Sequence, residues 1–513
     1  MTDTDAAKSS AFALGGPWAD LHETHSGVVL LMGQRALKFK KPVDLGFLDF
    51  TTVGRRREAC QREVDLNRRL SPDVYLGVGD LIGPDGVLDH VVLMRRMPEA
   101  RRLSTLVRSG VNVDTELREV ARALAAFHSR ADRSEAISRD VTGESLAALW
   151  QISFDQMASY AGDVVPASVE ADVQCLVHRY LAGRRELFDH RAVTSVLDGH
   201  GDLLAEDIFC LEDGPRILDC LEFDDRLRHV DQVDDAAFLA MDLEHLGAPA
   251  QAGRFLDWYA EFSGDNAPTS LVEHYLAYRA FVRAKVACVR HAQGVSAAAW
   301  EARRFATTAL AHLQRSAVKL VVIGGAPGTG KSTVAAGVAD RLGMTLLSSD
   351  RVRKELAHGS PTESAVVDLG QGIYTLEWTR QVYAELMRRA SLLLRLGESV
   401  VVDATWASDE RRDLARQVAD SCTADLVQLR CDVAAEIADS RLGARPAMSA
   451  AGTISDATPA VAAGIRGAFE PWEAAHVVDT RGDLAQSLDQ AVGVVRPPDS
   501  RTVSRPRSRM EPD

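Results

Sequence analysis

Gly325, Gly330, Lys331 and Ser332 stand at the spacing G-x-x-x-x-G-K-[ST], with Ala326, Pro327, Gly328 and Thr329 between the glycines and Thr333 just after. That spacing makes a phosphate cradle, the P-loop. Glycines let the main chain bend so that several N–H groups face one anion. A helix starting at Gly330 adds the positive end of its dipole. Lys331 is expected to reach the β- and γ-phosphates of ATP, and the Ser332 hydroxyl to hold Mg²⁺. The flanks agree: 320–323 reads as a buried strand and 334–342 as the continuing helix. A glycine-rich loop with a chance lysine is the plain alternative.

A second constellation is acidic. Asp202 closes the triplet His200-Gly201-Asp202, and Asp207 and Asp219 flank a predicted hairpin of 208–211, a Glu212-Asp213-Gly214-Pro215 turn and 216–218. Folding that hairpin brings Asp207 and Asp219 together at its open end. Two close carboxylates raise each other's pKa unless a cation sits between them; Mg²⁺ with nucleotide phosphates is such a cation. Asp202, one loop away, is placed to accept a proton from a substrate hydroxyl. An acidic surface loop is the alternative.

The elements that must position these groups follow from periodicity. Residues 27–32 and 35–40 read as strands joined at Gly33-Gln34, and 55–70 as a helix. The helix stripe of Cys60, Val64 and Leu70 also carries Glu63 and Asn67. A carboxylate on a buried stripe needs a partner. Lys38, inside the second strand, is the nearest unexplained cation upstream, so a Lys38–Glu63 pair is expected. A rim Glu63 with a solvated Lys38 is the alternative. A second hairpin spans 80–97, and 103–180 is mostly helical, with His128 read as structural. Residues 231–246 and 251–313 are helical again, their aromatics (Trp258, Tyr259, Phe262, Tyr275, Tyr278, Phe281) read as core.

Beyond the P-loop, 344–347, 398–403, 425–430 and 477–479 read as strands separated by helices, which implies a parallel sheet. Asp350 follows the first of these strands and Asp403 ends the next. Open α/β sheets bind ligands at those carboxyl ends, and Asp403 fits a Walker B role toward Mg²⁺. Arg441 and Arg445, four apart, share a face if the helix reaches that far, and suit a phosphate clamp. A solvated basic face is the alternative.

Composition sets the limits. The 513 residues allow about two to four domains, and 46% hydrophobic content is ample for cores. A net charge of −14 argues against broad nucleic-acid binding. Seven scattered cysteines without C-x-x-C spacing suit a reducing cytoplasm, with no disulfide framework and no zinc site. The polar, acidic start reads as no signal peptide, and no run of 18 apolar residues reads as a membrane span. Residues 1–18 and 496–513 are expected to be disordered.

At His200-Gly201-Asp202 and Asp219 the chain resembles the aminoglycoside-phosphotransferase branch of the kinase-like fold, whose motif is H-G-D-L-H-x-x-N followed by a hairpin and a second metal-binding Asp. The resemblance implies that Asp202 is the catalytic base, Asp207 and Asp219 the metal ligands, and Lys38 and Glu63 the pair that orients ATP. Two positions depart from the motif: Leu204 stands for the His and Asp207 for the Asn. No glycine-rich loop covers the nucleotide; His25-Ser26-Gly27 is the nearest approach. The segments Lys38-Phe39-Lys40-Lys41-Pro42-Val43 and Leu66-Asn67-Arg68-Arg69-Leu70 resemble a subgroup with a P-loop domain behind the kinase-like one, the bacterial bifunctional aminoglycoside phosphotransferase/ATP-binding proteins. The C-terminal part resembles small P-loop kinases of the gluconate-kinase, polynucleotide-kinase and zeta-toxin sort, including Val402-Asp403-Ala404-Thr405. There Asp350 would meet the acceptor hydroxyl, and Arg441 and Arg445 would stabilise the transferring group.

The expected architecture is therefore two-domain: an α+β protein-kinase-like domain at 19–313 (N-lobe about 19–100, C-lobe about 101–313) and an α/β P-loop domain with a parallel sheet at 318–495. The expected function is transfer of the γ-phosphoryl group of ATP, with Mg²⁺, to a small-molecule hydroxyl in the cytoplasm. The first rival is an ATP-binding sensor with a degenerate kinase-like domain, and the second is a polynucleotide 5′-hydroxyl or zeta-toxin-like kinase. Neither membrane nor nucleic acid is expected as a partner.

Overall fold

Ala36, Lys38 and Lys40 alternate with Leu37 and Phe39, so they share one face of their strand. In the computed structural model that strand is β3 of an antiparallel sheet. Its members are β1 (Ala19–Glu23), β2 (Gly27–Met32), β3 (Arg35–Lys40), β4 (Tyr75–Gly83) and β5 (Gly86–Arg95), in the order β1-β2-β3-β5-β4. The structure describes residues 19–23, 27–44, 49–357, 375–444 and 459–496.

Helix α1 (Val53–Asn67) covers the face of Ala36. Thr52 caps it, its side-chain oxygen accepting the Arg55 N–H at 3.3 Å. The helix stops at Asn67, short of the expected residue 70, as the chain tightens into i→i−3 bonds, Arg69 N–H to the Leu66 carbonyl at 3.3 Å and Leu70 N–H to the Asn67 carbonyl at 3.2 Å. Its inward side buries Arg56, Cys60, Glu63, Val64 and Asn67. Cys60 and Val64 join Ala36, Val92 and Met94 in one core. Glu63 is therefore carried into the interior by the same periodicity that buries its apolar neighbours.

Further along, β6 (Val196–Asp198) pairs with β9 (His229–Asp231), and β7 (Ile208–Leu211) with β8 (Gly214–Ile217), both antiparallel. Helix Pro249–Ser263 packs on both Asp114–His128 and Gln232–His245. Of the expected core aromatics, Tyr259, Tyr275, Tyr278 and Phe281 are buried, and Trp258 and Phe262 are half-buried.

The second sheet is parallel throughout. Its strands are β10 (Lys319–Gly324), β11 (Thr345–Ser348), β12 (Val400–Asp403), β13 (Asp425–Asp432) and β14 (His476–Asp479), ordered β11-β12-β10-β13-β14. Strand β10 is central: the chain leaves it toward β11 on one side and later crosses from β12 to β13 on the other, so its carboxyl end is a topological switch point. Val321 and Ile323 of β10 pack with Val334 and Val338 of helix Lys331–Leu342 and with Leu488 of helix Leu484–Val495.

By internal contacts the chain forms two units: 1–167, 190–267 and 275–309 make the first, and 168–189, 268–274 and 310–513 the second. The division is not the single cut near 313–318 that the sequence led us to expect. Segments earlier in the chain are tied to the second unit by buried hydrogen bonds. Ser270 Oγ donates to the Gly397 carbonyl at 2.7 Å, and Arg184 Nη1 to the Cys422 carbonyl at 2.8 Å.

Candidate functional sites

In the second unit β10 ends at Gly324, and the chain turns through Gly325 (φ +140°), Gly328 (φ +86°) and Gly330 (φ +85°) into helix Lys331–Leu342. The turn admits no side chain at its tightest points. A Cβ on Gly325 would lie 2.6 Å from the Cys431 carbonyl oxygen, and one on Gly328 2.6 Å from that of Ala438. Ala326 and Pro327 are buried. Thr329 Oγ1 donates to the Ala326 carbonyl at 2.8 Å, and Thr480 Oγ1 donates to the Thr329 carbonyl at 2.7 Å. Thr480, at the end of β14, gave no signal in the sequence, because only the sheet order brings it to the loop.

Lys331 is 8% exposed, whereas Ser332 and Thr333 in the same helical turn face outward. Asp403, the last residue of β12, is 6% exposed and lies in register with Ile323 of β10 and Ser348 of β11. Among the described residues its Oδ1 has no hydrogen-bond partner. Burial raises the Asp403 carboxyl above the usual range; Lys331 and the Ser332 hydroxyl oppose the shift, and Asp350 adds to it. Asp350 is half-buried in the first turn of helix Ser349–Leu356. The carboxyl edge thus gathers one buried ammonium, two carboxylates and a hydroxyl around a loop of main-chain amides. Hard divalent cations take oxygen ligands, and the Ser332 hydroxyl with the unpartnered Asp403 oxygen fits one. Arg441 Nη2 donates to the Thr480 carbonyl at 2.6 Å, so it braces the residue that holds the loop. Arg445 lies outside the described residues.

In the first unit Glu63 is fully buried, with Lys38 Nζ 2.9 Å from its Oε1 and Lys40 Nζ 2.6 Å from its Oε2. Lys38 also reaches Asp219 Oδ1 at 2.5 Å, and Lys40 is ion-paired with Glu222. Lys40 was missed by the sequence reading; the signal was its position two residues from Lys38, on the same strand face. Burial alone would lower both lysines, but Asp219 and Glu63 hold Lys38 well above its usual value, and Glu63 and Glu222 hold Lys40 above its own.

Asp219 has φ +63°, a left-handed conformation uncommon outside glycine. Its N–H donates to Tyr75 Oη at 3.1 Å, and the next N–H, of Cys220, donates to Asn67 Oδ1 at 2.8 Å. Helix α1 and strand β4 therefore hold the strained turn in place. The Leu218 N–H donates to the Asp207 carbonyl at 2.9 Å, which joins the two ends of the hairpin. Burial, then Asp219, Glu206 and Asp202, push the Asp207 carboxyl well up. Burial pushes the Asp202 carboxyl up to about 6, with Arg283 and Arg279 opposing and Asp219 adding. Despite burial, Lys38 holds the Asp219 carboxyl below the usual range, so Asp207, raised beside it, is the carboxyl that a cation would relieve. No three His, Cys, Asp or Glu side chains among the described residues form a metal cluster by themselves, so ligand oxygens would have to complete the shell. His25 and Ser26 lie outside the described residues.

The triplet at 200–202 is held from behind by residues the sequence reading did not single out for it. Asp235 accepts the N–H groups of His200 and Gly201 at 2.7 and 2.9 Å, and His128 Nε2 lies 3.0 Å from Asp235 Oδ2. Arg279 forks onto Asp234 at 2.7 Å through two nitrogens and donates to the Gly201 carbonyl at 3.2 Å. His200 Nε2 lies 3.0 Å from the Leu218 carbonyl. The first glycine of this stretch, Gly199, has no room for a side chain: a Cβ would meet Asp235 Oδ2 at 2.6 Å.

All seven cysteines are free. No described helix is long and apolar enough to cross a membrane.

An AAA domain family model matches residues 320–472. The protein of Mycobacterium tuberculosis called uncharacterized protein Rv2004c is 42% identical over 484 residues, 94% of this chain and 96% of its own length. Among solved structures, a choline/ethanolamine kinase family protein from Mesorhizobium loti is similar over 59% of this chain and 94% of its own, at 14% identity and TM-score 0.37. The Mycobacterium tuberculosis APS kinase CysC is similar over 35% of this chain and 98% of its own, at 24% identity and TM-score 0.27.

Proposed function

We propose that this chain, which belongs to the family of the Mycobacterium tuberculosis protein Rv2004c, is an ATP-dependent phosphotransferase with two nucleotide-type sites. The observation that carries the reading is the loop at 325–330, with three left-handed glycines and buried Lys331 at the carboxyl end of the central strand. Main-chain amides there cradle the phosphates, Lys331 meets the β- and γ-phosphates, and Ser332 and Asp403 hold Mg²⁺. Bound Mg²⁺ supplies charge neutralisation on the phosphates. Asp350 receives the acceptor hydroxyl, and Arg441, with Arg445, meets the charge of the transferring phosphoryl group. Catalysis is mainly positioning and electrostatic stabilisation.

In the first unit Lys38, oriented by Glu63, meets the nucleotide phosphates. Asp207 and Asp219 hold the metal, and Asp202 takes the proton of the acceptor, a small-molecule hydroxyl compound. A second reading, nucleotide binding without transfer, is favoured by Asp207 at the usual Asn position and by the hold of Asp219 on Lys38. Single turnover with γ-labelled ATP against a panel of sugars and aminoglycosides separates the two. Transfer that vanishes in Asp202→Ala supports the enzyme; binding with no transfer to any acceptor supports the sensor. For the second unit, Lys331→Ala is expected to weaken Mg·ATP binding by roughly 10- to 150-fold, the worth of a charged hydrogen bond. Unchanged binding in a variant that melts normally would refute the P-loop assignment.

A further inference from the structure

Resting on the reading of the first unit as a nucleotide site, we infer that Lys40 is a positioning residue. It keeps the buried Glu63 paired when Lys38 turns to the phosphates. Glu63 is fully buried and has one lysine on each carboxylate oxygen. The lysines differ in access: the Lys38 side chain is 18% exposed and that of Lys40 only 2%. Lys40 is further confined by the Phe50 ring, 5.4 Å from Nζ, and by its ion pair with Glu222. Only Lys38 also faces the acidic hairpin, through Asp219.

A buried carboxylate stripped of its cation is strongly unfavourable. If Lys38 were the sole partner of Glu63, each nucleotide bound would have to overcome that penalty or be held by a lysine unable to move. With Lys40 on the second oxygen, Lys38 can shift its ammonium toward an incoming phosphate while Glu63 stays neutralised. The i, i+2 spacing on β3 makes this arrangement possible, because both ammonium groups project to the α1 side of the sheet.

The test uses the full-length chain carrying Gly325→Ala and Lys331→Ala together, which remove both the loop shape and the ammonium of the P-loop, and titrates Mg²⁺ with a non-hydrolysable ATP analogue by calorimetry. The parent is expected to bind one equivalent. Adding Lys40→Met is expected to weaken that binding about tenfold or more, with Lys40→Arg staying close to the parent. Lys40→Gln, which keeps a side-chain donor for Glu63 but not the charge, is expected to weaken binding likewise. It also serves if Lys40→Met alone does not fold. A purely structural role for Lys40 would lower the melting temperature without changing the affinity of the folded protein. Parent-like binding by Lys40→Met overturns the inference while leaving the nucleotide site standing. If Lys40→Met does not fold, binding by Lys40→Gln about tenfold weaker than the parent supports the inference, and parent-like binding overturns it. No binding by the parent removes the nucleotide reading of the first unit and the inference with it.

Discussion

Asp235 holds the main chain of His200 by a charged hydrogen bond: its Oδ2 accepts the His200 N–H at 2.7 Å, while its Oδ1 accepts the following N–H, from Gly201, at 2.9 Å. The carboxylate is fully buried and also meets His128. The loop that carries Asp202 is thus held by an acid on helix Gln232–His245.

Replacing that acid tests the arrangement. Asp235→Asn puts an amide N–H₂ against main-chain donors and is expected to cost about 3–5 kcal/mol, the loss for one partner of a buried charged network. Urea unfolding measures it. Hydrogen bonds and charge from His128 hold the Asp235 carboxyl far below the usual range despite burial. Its folded pKa is depressed, so its stabilising contribution is present above the unfolded value of about 4 and is lost as pH falls through the folded value. The variant should lack that acid-side slope; a slope identical to the parent's contradicts the assignment.

Asp202 behaves in the opposite sense. Its carboxyl is raised to about 6, chiefly by burial. The native state therefore holds a proton that the unfolded chain releases, and its stability contribution declines as pH rises from about 4 to about 6. As a base it must be ionised, so kcat/KM for transfer at this site should rise through an apparent pKa near 6. Asp202→Asn should lower kcat about 10²- to 10⁴-fold with nucleotide affinity nearly kept. A pH profile flat between 5 and 7 would count against the role.

Gly325→Ala probes the P-loop backbone. The added Cβ would meet the Cys431 carbonyl at 2.6 Å at φ +140°. The strain is expected to cost about 1–3 kcal/mol and to weaken Mg·ATP binding, read by thermal melting and calorimetry. Gly343→Ala, at φ +62° with open space around it, is the control for backbone strain alone. Equal affinity in both variants would mean that the loop shape is not what binds phosphate.

Asp403→Asn separates charge from stability. The carboxyl is raised mainly by burial, so its ionised form weighs against folding as pH climbs past the unfolded value of about 4. The amide should fold at pH 7 without a large loss, yet the Mg²⁺ dependence of nucleotide binding should collapse. Magnesium dependence equal to the parent's excludes Asp403 as a metal ligand.

The sequence by itself determined the local elements and their chemistry. Glycine spacing named the loop at 325–330 because positive φ is a property of single residues. Helical periodicity put Glu63 on the buried stripe of α1, and its need for a cation pointed to Lys38, found 2.9 Å away. Only the tertiary structure revealed that Glu63 has a second lysine, that Thr480 closes over the P-loop and that Asp235 grips the turn at 200–202. Each of those contacts joins segments whose own patterns say nothing of one another. Partner choice across such distances is decided by sheet order and helix packing, which place a buried charge or amide beside whichever group can satisfy it.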